Sequence, residues 1–283
     1  MTDVMPVTDT ALVTLWCRAS EARRADAIVD DPMAIRLIES MDYDFSRFKL
    51  SADRQDLALR TLAFDNGTRS YLSAHPKATV VALGEGMQTS FWRLDAGGLG
   101  HEFLWLTLDL APIIELRQRL LPASPRMSTC TQSVLDFSWM DQVDPQHGVF
   151  ITAEGLLPYL EPDEALGLIA ECARRFPGGQ MMFDLPPKSQ ALLAARPQLW
   201  KVMRGDWPRT PFSLTARELA KLADTVPGVR VVHDVALPRG RGRLFDSLLP
   251  RTQGFPPIHR LLRRWVGVNW PTIASLTLLE FGT

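Results

Sequence analysis

The stretch from Ala78 to Asp95, ATVVALGEGMQTSFWRLD, limits the folds open to this chain more than any other. Thr79-Val80-Val81-Ala82-Leu83 is an apolar, β-prone run, and Gly84-Glu85-Gly86 breaks it. An unbroken apolar run of this kind reads as a parallel strand buried on both faces. Glycine suits the turn that follows, because it reaches φ > 0 and lets a ligand approach the backbone closely. Met87 to Leu94 then has helix-compatible apolar spacing. Strand, glycine turn and helix in that order open the nucleotide-binding part of a doubly wound α/β sheet. Two glycines alone also occur in ordinary turns, so the next segment decides.

Phe103-Leu104-Trp105-Leu106-Thr107-Leu108-Asp109 is a second apolar strand that ends in an acid. The acid lies about 20 residues past the glycines, where such folds place the carboxylate that grips ribose hydroxyls. Asp109 also suits the N-cap of a following helix, with Pro112 inside its first turn. Both roles are compatible. Together the two segments point to a site for an adenosine-type cofactor.

Composition narrows the classes further. A chain of 283 residues, 46% hydrophobic and 22% charged, makes one large domain or a domain with a lid. A net charge of −1 gives no basic field for nucleic acid. Cys17, Cys130 and Cys172 are scattered, and neither cysteines nor histidines have metal-ligand spacing, so no metal is expected. The N-terminus, MTDVMPVTDT, has no apolar core, and no run approaches a membrane span. A cytoplasmic protein acting on a small molecule is expected. The eight tryptophans supply apolar area for a core or for a pocket around a bulky ligand.

Helices are expected from Thr10 through Arg24, then over Met33 to Ser40 behind Asp31-Pro32, and over Asp53 to Leu72 with Leu57, Leu59, Leu62, Ala63 and Phe64 on one face. His75-Pro76 ends the last of these. Beyond Asp109 come a helix from Pro112 to Leu121 and a short strand at Met127 to Cys130. The loop holding Asp136 reads either as an adenine contact or as an exposed carboxylate. Gly148 to Ala153 is a fourth strand, followed by Glu154-Gly155-Leu156-Leu157-Pro158-Tyr159 at the edge where open α/β sheets bind ligands. Glu161-Pro162-Asp163-Glu164 opens a helix to Arg175, and Gln180 to Asp184 is strand five. Lys188 to Leu222 reads as an interrupted helical stretch with Trp200 and Trp207. Val229 to Asp234 is strand six, and Ile273 to Phe281 is the last strand. Arg239-Gly240-Arg241-Gly242-Arg243 is either a solvated connection or a clamp on an anionic substrate. The whole reads as one domain, 1–283, with a helical cap over 1–77, a cofactor core over 78–185 and acceptor-side elements over 186–283.

With these pieces in order, the chain resembles the leucine carboxyl methyltransferase-like family, and within it the bacterial branch of polyketide-synthesis O-methyltransferases. The likeness rests on CRASEARRADAIVDDPMAIRLI, Arg60 with TRSYL, VVALGEGMQTSFWRLD, LTLDL, VLDFSWMD and TAEGLLPYLEP. It covers residues 10 to 185 and, more loosely, the remainder. The resemblance implies a doubly wound, Rossmann-like class I methyltransferase α/β sheet with an N-terminal helical lid and a helical insertion after strand five. It implies S-adenosyl-L-methionine (SAM) as methyl donor and a small-molecule carboxylate or hydroxyl as acceptor. Gly84 and Gly86, with Glu85 between them, would lie against the methionine part. Asp109 would bind both ribose hydroxyls, with Leu110 beside it. Asp136 would contact the adenine amino group and Phe137 would flank the ring. Arg60 would pair with the SAM carboxylate, and Arg18 would be a second basic contact. Glu154 would sit beside the amino end, and Tyr159 would face the acceptor.

Two positions depart from the family loop, which commonly reads GAG followed by an Asp: here Glu85 and Gln88 stand instead. Gln88 removes a charge near the cofactor, which either weakens binding or leaves Glu85 to replace it. Two rival functions differ in class. An NAD-dependent oxidoreductase would want GxGxxG, yet Thr89 occupies the third glycine's place. A SAM-binding protein without catalysis would keep Asp109 and Arg60 but form no acceptor pocket. No His shows the signature of a base, which favours a carboxyl acceptor or transfer by proximity.

Overall fold

Every residue of β1 (Thr79–Leu83) is buried, and this strand carries the sheet between two others. β2 (Leu104–Asp109) lies parallel on one side of it, followed outward by β3 (Met127–Thr131). On the other side come β4 (Val149–Ala153) and β5 (Gln180–Leu185), both parallel. β6 (Val229–Asp234) and β7 (Ser275–Phe281) complete a seven-stranded sheet of order β3-β2-β1-β4-β5-β7-β6, with β7 antiparallel to both neighbours. The computed structural model describes residues 5–46, 48, 55–198, 201, 208–238, 240 and 275–283.

Alternation along the strands divides the core between the two faces of the sheet. Val81, Leu83, Leu106, Leu108, Ile151 and Phe183 pack on Leu168, Ile169 and Cys172 of α6 (Pro162–Arg175) and on Phe176 just after it. Val80, Ala82, Trp105, Phe150 and Met182 pack on Phe64, Tyr71 and Leu72 of α3 (Gln55–Ala74) and on Phe91 and Leu94 of α4 (Ser90–Ala96). The parallel order from β3 to β5 brings their C-terminal ends to one edge, where open sheets of this kind hold ligands.

The helix start after the glycine turn and the buried face of α3 differ from the sequence expectation. The helix after the glycine turn starts at Ser90 rather than Met87, because Gln88 N–H closes a turn on Glu85 O at 3.1 Å. Thr89, at the N-cap, makes no side-chain cap bond; its hydroxyl is held by Asp31 instead. After β5 the expected interruption is present: α7 (Lys188–Ala194) is short, and among the described residues Pro197, Gln198 and Lys201, then Ala216–Ala220 and Leu222–Thr225, are helical. Pro208 and Pro211, in the non-helical stretch before Ala216, remove helical donors. Helix α3 buries Leu57, Ala63 and Phe64 of the expected apolar stripe but leaves Leu59 and Leu62 half-buried, while Arg60, Thr61, Asp65 and Thr68 are buried as well.

The N-terminal helices, α1 (Met5–Ala22) and α2 (Pro32–Ser40), are fastened to the sheet by buried charge. Asp31 caps α2 by accepting from Ala34 N–H at 2.9 Å. Its carboxylate also accepts from Arg18 Nε at 3.2 Å, Arg93 Nη1 at 2.8 Å and the Thr89 hydroxyl at 2.7 Å. Arg93 continues the chain to both oxygens of Asp65, at 2.7 and 3.0 Å. Burial alone would raise the Asp31 carboxyl; Arg93, Arg18, Thr89 and the Ala34 N–H together hold it below the ordinary carboxylate range. At Asp65 burial outweighs Arg93, and that carboxyl is raised.

Asp31→Ala leaves two buried guanidiniums without their shared counter-charge. We expect a loss of about 3–5 kcal/mol in urea-unfolding free energy. A loss below about 1 kcal/mol, the range of exposed pairs, would show that these charges are solvated.

Candidate active site at the strand ends

The chain leaves β1 through Gly84 and Gly86, both at φ +56, a backbone region that favours glycine. Gly84 N–H donates to Leu108 O at 2.8 Å, which ties the turn to the end of β2. A Cβ on Gly84 would stand 2.8 Å from Leu156 Cδ1. Gly86 N–H donates to Asp109 Oδ2 at 2.7 Å, and Leu110 N–H to Asp109 Oδ1 at 2.7 Å. Each oxygen thus has one backbone donor and keeps lone-pair capacity for a ligand. Burial raises the Asp109 carboxyl, while the two N–H groups and Arg117 oppose the rise. The N-cap of α5 (Ala111–Leu120) is Leu110, so Asp109 serves the turn and not the helix end.

Glu85 points away from this edge. Its Oε2 accepts from the Thr107 hydroxyl at 2.5 Å and pairs with Arg117 Nη2 at 3.0 Å. Burial raises its carboxyl, against Arg117 and Thr107. Arg117 Nη1 also donates to Gly86 O and Gln88 O, each at 2.8 Å. Sequence reasoning did not single out Arg117. The signal was present: Ile113, Ile114 and Arg117 share the buried face of α5, so an arginine occupies an apolar phase.

Arg60 projects from α3 between two carboxylates at the ends of β4 and β5. Its Nε donates to Glu154 Oε1 at 2.9 Å and its Nη1 to Asp184 Oδ2 at 3.1 Å. Thr61 donates to the same Glu154 oxygen at 3.1 Å and accepts from Gln88 Nε2 at 3.3 Å. Asp184 Oδ1 accepts from Gly155 N–H at 2.6 Å, which holds the turn that carries Glu154. Burial disfavours the Arg60 charge, but Asp184 and Glu154 more than compensate and hold the guanidinium more firmly protonated than usual. Asp184, Thr61 and Gln88 complete this cluster; from sequence, Asp184 was only a strand end.

Arg18 reaches the glycine turn from α1. Its Nη2 donates to Met87 O at 2.6 Å, and its buried Nη1 has no hydrogen-bond partner among the described residues. Burial pulls this guanidinium below its ordinary value, opposed by Asp31 and, more distantly, by the Glu154 charge. Arg18, Arg60 and Glu154 therefore share one electrostatic neighbourhood beside the turn.

Three large apolar side chains stay exposed after the strand ends: Leu110 at 41%, Phe137 at 36% and Tyr159 at 41%. Leu110 follows β2, Phe137 lies beyond β3 and Tyr159 beyond β4. Asp136 is exposed and caps the short 3-10 helix Phe137–Gln142, accepting from Ser138 N–H at 3.2 Å. Trp200, Trp207, Arg239, Arg241 and Arg243 lie outside the described residues, as does His259. Of the other histidines, His75 stacks on Tyr71, His101 meets Asp95, and His233 meets Glu280.

The model of the leucine carboxyl methyltransferase family matches residues 11–173. Tetracenomycin polyketide synthesis O-methyltransferase TcmP of Streptomyces glaucescens is 31% identical over 179 residues, 63% of this chain and 65% of that protein. S-adenosyl-L-methionine-dependent methyltransferase dpfgK of Gibberella zeae is 29% identical over 199 residues, with the same shares covered. The match thus spans 65% of the length of either relative. Among solved structures, a DUF574-family protein from Streptomyces avermitilis superimposes with a TM-score of 0.55 at 13% identity, over 87% of this chain and 94% of that one. At that identity the likeness concerns the fold alone.

Gly84→Ala combines a positive φ with the contact on Leu156. The strain alone costs roughly 1–3 kcal/mol, and we expect thermal unfolding to shift down accordingly. An unchanged melting temperature would show that the turn has another conformation open to it.

Proposed function

The chain belongs to the leucine carboxyl methyltransferase family, and from that premise we propose that it is a SAM-dependent O-methyltransferase acting on a small-molecule carboxylate or hydroxyl. The observation that carries the reading is the Asp109 carboxylate, fixed at the end of β2 by one backbone N–H on each oxygen and set beside the glycine turn. The relatives named for polyketide synthesis and for SAM-dependent methyl transfer support the choice of donor and of oxygen as acceptor. The three cysteines, Cys17, Cys130 and Cys172, are all buried.

The residues present fit the donor. Asp109 has lone pairs left for two ribose hydroxyls. Leu110 and Phe137 offer exposed apolar faces for the adenine ring, and Asp136 has a second oxygen for its amino group. Gly84 and Gly86 leave the backbone bare along the methionine part. Arg60 is committed to Glu154 and Asp184, so the orphaned Nη1 of Arg18 is the better donor to the methionine carboxylate. Glu154 would accept from the amino group, oriented by Arg60 and Thr61. Tyr159 would face the acceptor.

When bound, SAM supplies a methyl group on a sulfonium, already activated for in-line displacement. The chain's own task is then to align and to exclude water, effects that together reach on the order of 7–11 kcal/mol at best. A carboxylate acceptor needs no base. Among the described residues no hydrogen bond of Asp109, Arg60 or Glu154 involves a His, which favours that acceptor or transfer by proximity.

Calorimetry should show heat for SAM and none for NAD, and labelled SAM should methylate members of a panel of aromatic acids and phenols. NAD heat without SAM heat would overturn the reading of the cofactor. SAM binding with no transfer to any panel member would leave a SAM-binding protein without this chemistry.

Arg18→Ala separates the charge contact from the fold. Hydrogen bonds to charged groups contribute about 1.5–3 kcal/mol, so SAM affinity should fall about tenfold or more. Affinity for 5′-methylthioadenosine, which lacks the carboxylate, should fall by less, because both ligands feel the loss of the Met87 contact but only SAM loses the charge partner. Equal losses for both would make Arg18 purely structural.

A further inference from the structure

On the other side of the Arg93 network lies a groove that the proposed reaction does not use. We infer that this groove, between α2, α3 and α4, binds a small aromatic organic anion. Its volume is about 420 Å³, inside the range of about 300–1,000 Å³ usual for ligand sites. Ile28, Met33, Leu62 and Trp92 give it apolar walls, each only half-buried. Asp31, Asp65 and Arg93 line it too, but these charges are spent on one another.

The remaining charge is cationic. Arg36 and Arg69 line the groove, with the exposed Asp30 as the opposing group. Arg36 has no ion pair or hydrogen bond among the described residues. Arg69 has one long bond, from Nη1 to Gly97 O at 3.3 Å. Its guanidinium is seated all the same: a Cβ on Gly97 would come within 2.6 Å of Arg69 Nη1. An aromatic face against Trp92 with two guanidiniums free for a carboxylate, sulfonate or phosphate is the recognition chemistry of an aromatic anion. Arg93 Nη2 also reaches Gln88 Oε1 at 3.5 Å, so the network that lines the groove touches the strand-end cluster through Gln88.

The test uses 1-anilinonaphthalene-8-sulfonate and its uncharged analogue N-phenyl-1-naphthylamine, titrated by fluorescence with S-adenosylhomocysteine present at saturation. The wild-type chain should bind the sulfonate more tightly than the neutral compound. Arg36→Ala/Arg69→Ala should weaken the sulfonate about tenfold or more and leave the neutral compound unchanged, and Arg36→Lys/Arg69→Lys should recover part of the loss. Unchanged sulfonate affinity in the alanine variant would overturn the inference. So would an equal loss for both probes, which would mean a damaged apolar wall, or complete displacement of the sulfonate by S-adenosylhomocysteine. The arginine dependence is read independently of the proposed methyl transfer: it decides the inference even if S-adenosylhomocysteine fails to bind.

Discussion

Two arginines, one from α1 and one from α5, grip the glycine turn, and the arrangement of the strand-end edge depends on that grip. Arg18 takes the carbonyl of Met87, while Arg117 takes those of Gly86 and Gln88. These are consecutive carbonyls in a segment that is neither strand nor helix, so no ladder satisfies them. Each arginine is in turn neutralised by a buried carboxylate, Arg18 by Asp31 and Arg117 by Glu85. Such buried pairs are weak sources of net stability, because desolvation consumes most of the attraction. What they fix is geometry. The turn's own N–H of Gly86 then has one place to point, and that place is Asp109.

The same logic explains why α3 lacks a clean apolar stripe. It crosses the end of the sheet where the carboxylates of β4 and β5 must be held. Arg60, Thr61 and Asp65 therefore occupy buried positions that a helix of purely structural purpose would give to leucine or alanine. The apolar contact is carried instead by Ala63, Phe64, Tyr71 and Leu72, shifted around and along the helix. A helix that spends one face on charge needs the pairing to be complete, and Glu154, Asp184 and Arg93 supply it.

The fold was legible in the sequence because buried parallel strands read as continuous apolar runs and the turn between β1 and α4 required glycine. Asp31-Pro32 was equally readable, since an Asp before Pro at a helix start has a local reason to be there. What could not be read was pairing across long separations. Nothing in the neighbourhood of Asp184 announces Arg60, 124 positions earlier. Thr61 was hidden for the same reason: it sits in an ordinary helical sequence and acquires its role only when strands distant in the chain are brought side by side. The helix start after the glycine turn slipped for a local reason, the Gln88 N–H closing a turn on Glu85 O, while Asp31 holds the Thr89 hydroxyl that would otherwise cap the helix.

The same long-range pairing bears on the two departures in the glycine turn. Glu85 carries a charge at a position where an alanine is usual in such loops, and the sequence left open whether it replaces the charge that Gln88 lacks. The geometry gives Glu85 a different partner: its carboxylate is turned inward to Thr107 and Arg117. Gln88, for its part, is tied to Thr61 and so to Glu154. A carboxylate at position 88 would lie close to Glu154 on one side, yet could not donate to Thr61. An amide can, and it leaves the single Thr61 proton free for Glu154. On the proposed reading, grip on the cofactor then falls to Asp109 at the ribose and to Arg18 and Glu154 at the amino-acid end, while Gln88 acts through the threonine that orients Glu154.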